Sequence, residues 1–113
     1  MYWHPNTEEW QYYINGKARM SVFASEGNAR IFDYQAGDVG AVPFAFGHYI
    51  ENIGDTPLCF LEMFRSPRFQ VVSLNQWMAL TPPELVQQHL NLNKTVMEIL
   101  RKEKWPVVEN LTR

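Results

Sequence analysis

The sequence predicts an all-β domain, a sandwich or barrel, that ends in a helical tail. Short strand-like runs recur between turn signals from residue 9 to about residue 73. Aromatic residues make up 14% of the chain, a share that suits a pleated core. From about residue 74 the apolar spacing becomes helical. With 113 residues the chain has room for one core, so we expect a single domain over 1–113, with strands in 1–73 and the tail in 74–113.

The first run is Trp10 to Ile14, closed by Asn15-Gly16, a strong signal for a hairpin turn. Ala18 to Ala24 alternates polar with small or apolar residues, and Glu26-Gly27-Asn28 turns it into Arg30 to Tyr34. Ala36-Gly37-Asp38 leads into Val39 to Val42, which Pro43 ends. His48 to Asn52 forms the next strand, and Leu58 to Phe64 follows as the longest apolar one, interrupted by Glu62. Ser66-Pro67 breaks the chain before a last strand at Phe69 to Ser73, making seven. Leu74 to Leu80 predicts a short helix carrying Trp77, and Thr81-Pro82-Pro83-Glu84 reads as a capping box with proline at the first helical position. Asn93 caps a further helix whose apolar face is Val96, Met97, Ile99 and Leu100.

Composition excludes several classes of function. The net charge is −2 and no basic stripe is interleaved with aromatics, so nucleic acid is not an expected partner. No run approaches the roughly 20 apolar residues needed to span a bilayer, so no membrane partner is expected. Met1-Tyr2-Trp3-His4-Pro5 lacks the charged and apolar regions of a signal peptide, which predicts a cytoplasmic protein. The single cysteine, Cys59, lies in Leu58-Cys59-Phe60-Leu61 and reads as a small buried hydrophobe.

Three residues carry candidate chemistry: His4, Glu9 and His48. His4 and Glu9 flank a short bend, and His48 opens a later strand that can come alongside them. Two imidazoles and one carboxylate suit Fe(II) or Mn(II), with other positions left for water or substrate. Three histidines in a chain of this length are unremarkable by themselves, and spacing adds the weight. His4-x4-Glu9-x6-Gly16 matches the second part of the first cupin motif. Gly37-x5-Pro43-x4-His48-x3-Asn52 matches the second motif, with Ala45 where glycine is usual.

The chain therefore resembles the cupin family, and within it the C-terminal cupin domain of the two-cupin oxalate decarboxylases. The similarity is carried by Trp3 to Ile14, Tyr34 to Gly40, Gly47 to Asp55, Phe60 to Phe64 and Ser73 to Trp77. It implies a jelly-roll β-barrel, here lacking its first strands, and a manganese site held by three histidines and a glutamate. His4, Glu9 and His48 match three of those ligands, and Tyr2 stands in place of the remaining histidine. A phenol is a poor ligand for Mn(II) unless ionised, so Tyr2 either completes a weakened site or packs beside Trp3. Iron or zinc could take the same donors.

The resemblance further implies conversion of oxalate and a proton into formate and carbon dioxide, with Glu62 at a position where the family has an acid. Glu62 is read either as a catalytic proton donor or as an outward residue of an alternating strand. Because the family generally assigns decarboxylation to its other cupin, a lone domain of this kind is expected to be weakly active or inactive. Two alternatives stand beside that reading: a non-catalytic metal-binding or structural cupin fragment, and an iron-dependent cupin oxidase or dioxygenase. Unpaired strand edges favour a homodimer or higher homo-oligomer.

Overall fold

In the computed structural model, which describes residues 1–109, the chain divides into two compact units, Met1–Val72 and Ser73–Arg113. Its strands are β1 (Tyr2–Trp3), β2 (Glu9–Asn15), β3 (Lys17–Phe23), β4 (Ala29–Gln35), β5 (Val39–Val42), β6 (Gly47–Asn52), β7 (Cys59–Phe64) and β8 (Val72–Ser73). They form a five-stranded sheet in the order β4-β3-β6-β1-β8 and a three-stranded sheet in the order β5-β2-β7. The two sheets do not close into a barrel, and the expected fold was a jelly-roll barrel lacking its first strands, with unpaired strand edges.

Period-2 alternation decides which side chains face inward. On β2, Glu9, Gln11 and Tyr13 are buried while Trp10, Tyr12 and Ile14 are exposed. On β3, Ala18, Met20 and Val22 are buried, and Met20, Val22 and Val42 make the core with Tyr34, Phe46 and Ile50 packed against it. Phe32 pairs with inward-facing Met20 in the β3–β4 register yet is 43% exposed, so the inner face of edge strand β4 is uncovered.

One expectation about a turn needs correction. Asn15-Gly16 does not make a hairpin, because β2 pairs with β5 and β7 whereas β3 pairs with β4 and β6. The dipeptide is instead the corner where the chain changes sheet. Gly16 has φ +86°, and a Cβ there would lie 2.9 Å from both Leu58 Cα and Pro57 O. The conformation alone would cost an L-residue about 1–2 kcal/mol, before that clash. Ala45 also has positive φ, +62°, and its backbone N–H donates to His4 O at 3.1 Å. The position where the motif usually has glycine thus keeps a glycine-like backbone.

The strand predicted over Phe69 to Ser73 shrinks to Val72–Ser73. The preceding carbonyls are occupied by side chains, Arg68 O by Asn6 and Gln70 O by His4. The sequence reading also missed β1, which is only two residues long. Cys59 is free and exposed, a correction to the buried hydrophobe expected, because it shares the outward face of β7 with Leu61 and Met63.

The second unit contains α1 (Leu74–Leu80), α2 (Pro83–Leu90) and α3 (Lys94–Ile99). Ser73 caps α1 and Asn93 caps α3 through side-chain oxygens. Pro83 opens α2, but the capping box is not used: the Thr81 hydroxyl donates to Trp77 O at 2.8 Å, and Pro82 is the cap residue. Ile99, expected on the apolar face of α3, lies exposed. Among the described residues no helix is long and apolar enough to cross a membrane.

Candidate metal centre

The bend that follows β1, the start of β2 and the start of β6 bring His4, Glu9 and His48 together on the inner side of the sheets. The register places Tyr2 opposite His48 on β6, and Glu9 between Val42 on β5 and Phe64 on β7. His4, Glu9 and His48 are 3%, 1% and 0% exposed, so nearly all their hydration must be replaced by protein or ligand. Their potential ligand atoms all lie within 4.8 Å of one another.

The hydrogen bonds behind the imidazoles determine what they present. His4 Nδ1 lies 2.8 Å from Gln70 O, and His48 Nδ1 lies 2.9 Å from Phe46 O. A carbonyl can only accept, so each Nδ1 carries a proton and each ring in its neutral form offers an Nε2 lone pair. Glu9 Oε2 lies 3.1 Å from His4 Nε2 and 3.0 Å from His48 Nε2. Three electron pairs therefore converge on one buried point. His4 Nε2 has no hydrogen-bond partner despite its closeness to Glu9, a deficit worth about 1–3 kcal/mol when buried. His48 Nε2 can satisfy Glu9 only by carrying an additional proton. A cation at that point satisfies all three atoms, and carbonyl-tethered histidines are the usual backing of a metal site.

Burial pushes the Glu9 carboxyl upward, but its contacts with His48, the Gln11 amide and the nearby imidazoles outweigh it and hold the group below the usual carboxylate range. It is ionised, as a metal ligand must be. Tyr2 packs on the imidazoles, with ring centroids 4.4 Å from His48 and 5.5 Å from His4. Burial, then the charges of Glu62 and Glu9, push its phenol far above the ordinary value, and its hydroxyl is hydrogen-bonded to Glu62. Glu62 pairs with inward-facing Gln11 in the β2–β7 register, so its backbone position faces inward although the residue is solvent-accessible. The outward alternative for Glu62 is thereby set aside. Phe64 and Phe69 wall His4 at 4.7 and 5.4 Å between centroids.

Sequence reasoning missed Gln11 and Tyr13, which continue the inward row begun by Glu9 at alternate positions of β2. That two-residue period was the available signal. The backbone carbonyl that accepts from His4 had none, since Gln70 lies 66 residues away.

A cupin family profile matches residues 1–98. The chain belongs to the cupin family. This cupin is 64% identical over 109 residues to oxalate decarboxylase OxdC of Bacillus subtilis, covering 96% of the chain and 28% of that protein. It is 44% identical over 109 residues to a probable oxalate decarboxylase of Arthroderma benhamiae, covering 96% of the chain and 27% of that protein. A solved structure of the B. subtilis enzyme, described for its Mn(II) centres, matches the cupin with a TM-score of 0.95 at 64% identity, over 96% of this chain and 29% of that one. The cupin thus spans less than a third of the length of these relatives.

Proposed function

We propose that this cupin binds Mn(II) through His4, Glu9 and His48 and acts on small dicarboxylates of the oxalate type, slowly if it works as a lone unit. The observation that carries the reading is the convergence of two carbonyl-tethered imidazoles and an ionised carboxylate on one buried point. Such a set with open positions suits Mn(II) or Fe(II), and the Mn(II) centres of the B. subtilis enzyme favour manganese. Iron and zinc compete for the same donors. When bound, the metal would polarise a substrate carboxylate.

The protein's own residues supply the rest. Tyr2, protonated and bonded to Glu62, is read as a hydrogen-bond donor beside the site rather than a ligand. Conversion of oxalate to formate and carbon dioxide consumes one proton. Glu62 is positioned inward and reachable by solvent, so its carboxyl can take up that proton and pass it to the carbon that loses carbon dioxide. Manganese-loaded protein incubated with oxalate should release formate, and Glu62→Gln should lose most of that release while keeping its metal. Peroxide in place of formate would favour an oxidase. Neither product, with metal present, would leave a non-catalytic metal-binding cupin, the reading that the tyrosine at position 2 supports.

The same cupin is read as a homodimer or larger assembly. Strands β4, β5, β7 and β8 are sheet edges, and Trp10, Tyr12, Ile14, Val39, Leu61 and Met63 are exposed on the outer side of the three-stranded sheet. Open edges template strand pairing, and an apolar patch of this kind marks a contact surface. Light scattering after size-exclusion chromatography should give at least a dimer mass; a monomer mass at micromolar concentration would contradict this. Cytoplasmic residence suits an exposed free thiol such as Cys59. Recovery of the protein outside the cytoplasm on cell fractionation would overturn that assignment.

A further inference from the structure

The two oxygens of Glu9 have different surroundings. Oε2 faces both imidazole Nε2 atoms at 3.0 and 3.1 Å, whereas Oε1 accepts a hydrogen bond from Gln11 Nε2 at 2.5 Å. Gln11 is held in turn by the Tyr13 hydroxyl, which donates to its Oε1 at 2.7 Å. The Tyr13 ring stacks on Tyr34, with centroids 4.6 Å apart and planes 10° from parallel.

Gly40 faces Gln11 across the β2–β5 register. A Cβ at Gly40 would come 2.7 Å from Gln11 Oε1 and 3.2 Å from the Tyr34 ring. The amide lies where it does because this glycine leaves room for it. Its polarity is fixed as well. Turned over, Gln11 would set a carbonyl oxygen against the Glu9 carboxylate, acceptor facing acceptor in a site where both residues are buried. Glu9, Gln11 and Tyr13 thus form one directional chain along the inner face of β2.

We propose that Gln11 is a positioning residue that makes Glu9 a one-oxygen ligand. By holding Oε1 away from the metal it leaves one more coordination position for water or substrate. Carboxylates bind divalent cations through one oxygen or two, and a two-oxygen grip would occupy that position. The inference rests on the Mn(II) reading above.

The test is Mn(II) electron paramagnetic resonance on wild type, Gln11→Leu and Tyr13→Phe, with 17O-water broadening used to count metal-bound waters. Gln11→Leu should bind one fewer water, change the Mn(II) fine structure and weaken affinity by about 10–100-fold. Tyr13→Phe, which keeps the ring stack, should shift the same readouts in the same direction by less, and it decides the matter if the leucine variant loses its fold or its metal. An unchanged water count and fine structure in the metal-loaded variants would overturn the inference. Wild type that takes up no Mn(II), or holds it equally well as Glu9→Gln, would overturn the metal reading itself and this inference with it. The two failures are therefore distinct.

Discussion

Glu9→Gln and His48→Ala each lower Mn(II) affinity by at least about a hundredfold. Loss of a residue that merely backs a ligand typically costs 10–100-fold, and in the proposed site these two are the ligands themselves. Glu9→Gln is nearly isosteric, so it removes the charge while leaving the packing around β2 in place. A neutral amide is a poor match for a hard divalent cation that two neutral imidazoles cannot neutralise. His48→Ala removes one of the two nitrogen donors and leaves Phe46 O without its side-chain partner. Calorimetric titration with Mn(II), alongside circular dichroism to verify the fold, checks both variants. An affinity within threefold of wild type in either folded variant would remove that residue from the site.

Tyr2→His raises Mn(II) affinity by about tenfold or more, equivalent to roughly 1.4 kcal/mol. Tyr2 pairs with His48 across β1 and β6, and its ring lies against both imidazoles, so a donor at this position starts close to the proposed ligands. The phenol does not serve, because burial and the neighbouring carboxylates keep its proton on. An imidazole gives a neutral donor atom without having to ionise. The same change removes the hydroxyl from Glu62, so formate release and metal affinity need not rise together. Titration of both proteins under one buffer checks the prediction. A flat affinity would mean that position 2 does not limit the site.

Much of the strand pattern was legible because turns and alternation are local. The runs at 10–14, 18–24, 30–34, 39–42, 48–52 and 58–64 correspond to β2 through β7 within a residue or two at each end. The pairing of those strands was not legible at Asn15-Gly16. A turn there was read correctly, but whether it closes a hairpin or rounds a corner depends on which distant strands β2 and β3 pair with. Cys59 was misjudged for a related reason. Its neighbours are apolar on both faces of β7, so composition could not say which face would be covered.

The site divides along the same line. His4, Glu9 and His48 follow from motif spacing, and the structure brings all three together. What makes them a candidate metal centre, the tethering of both Nδ1 atoms by Gln70 O and Phe46 O, depends on backbone carbonyls that no residue type announces. The inner row of Glu9, Gln11 and Tyr13 falls between these cases. Its alternation is visible in the sequence, but the direction of its hydrogen bonds requires the folded positions of Tyr34 and Gly40.

The most direct test of the metal centre is metal content per chain, measured by mass spectrometry on untagged protein purified from manganese-supplemented cells. Close to one equivalent of manganese per chain in the wild type, lost in Glu9→Gln, is the expected result. Folded wild-type protein that remains empty would contradict the account, because the buried, converging donors would then be satisfied without a metal.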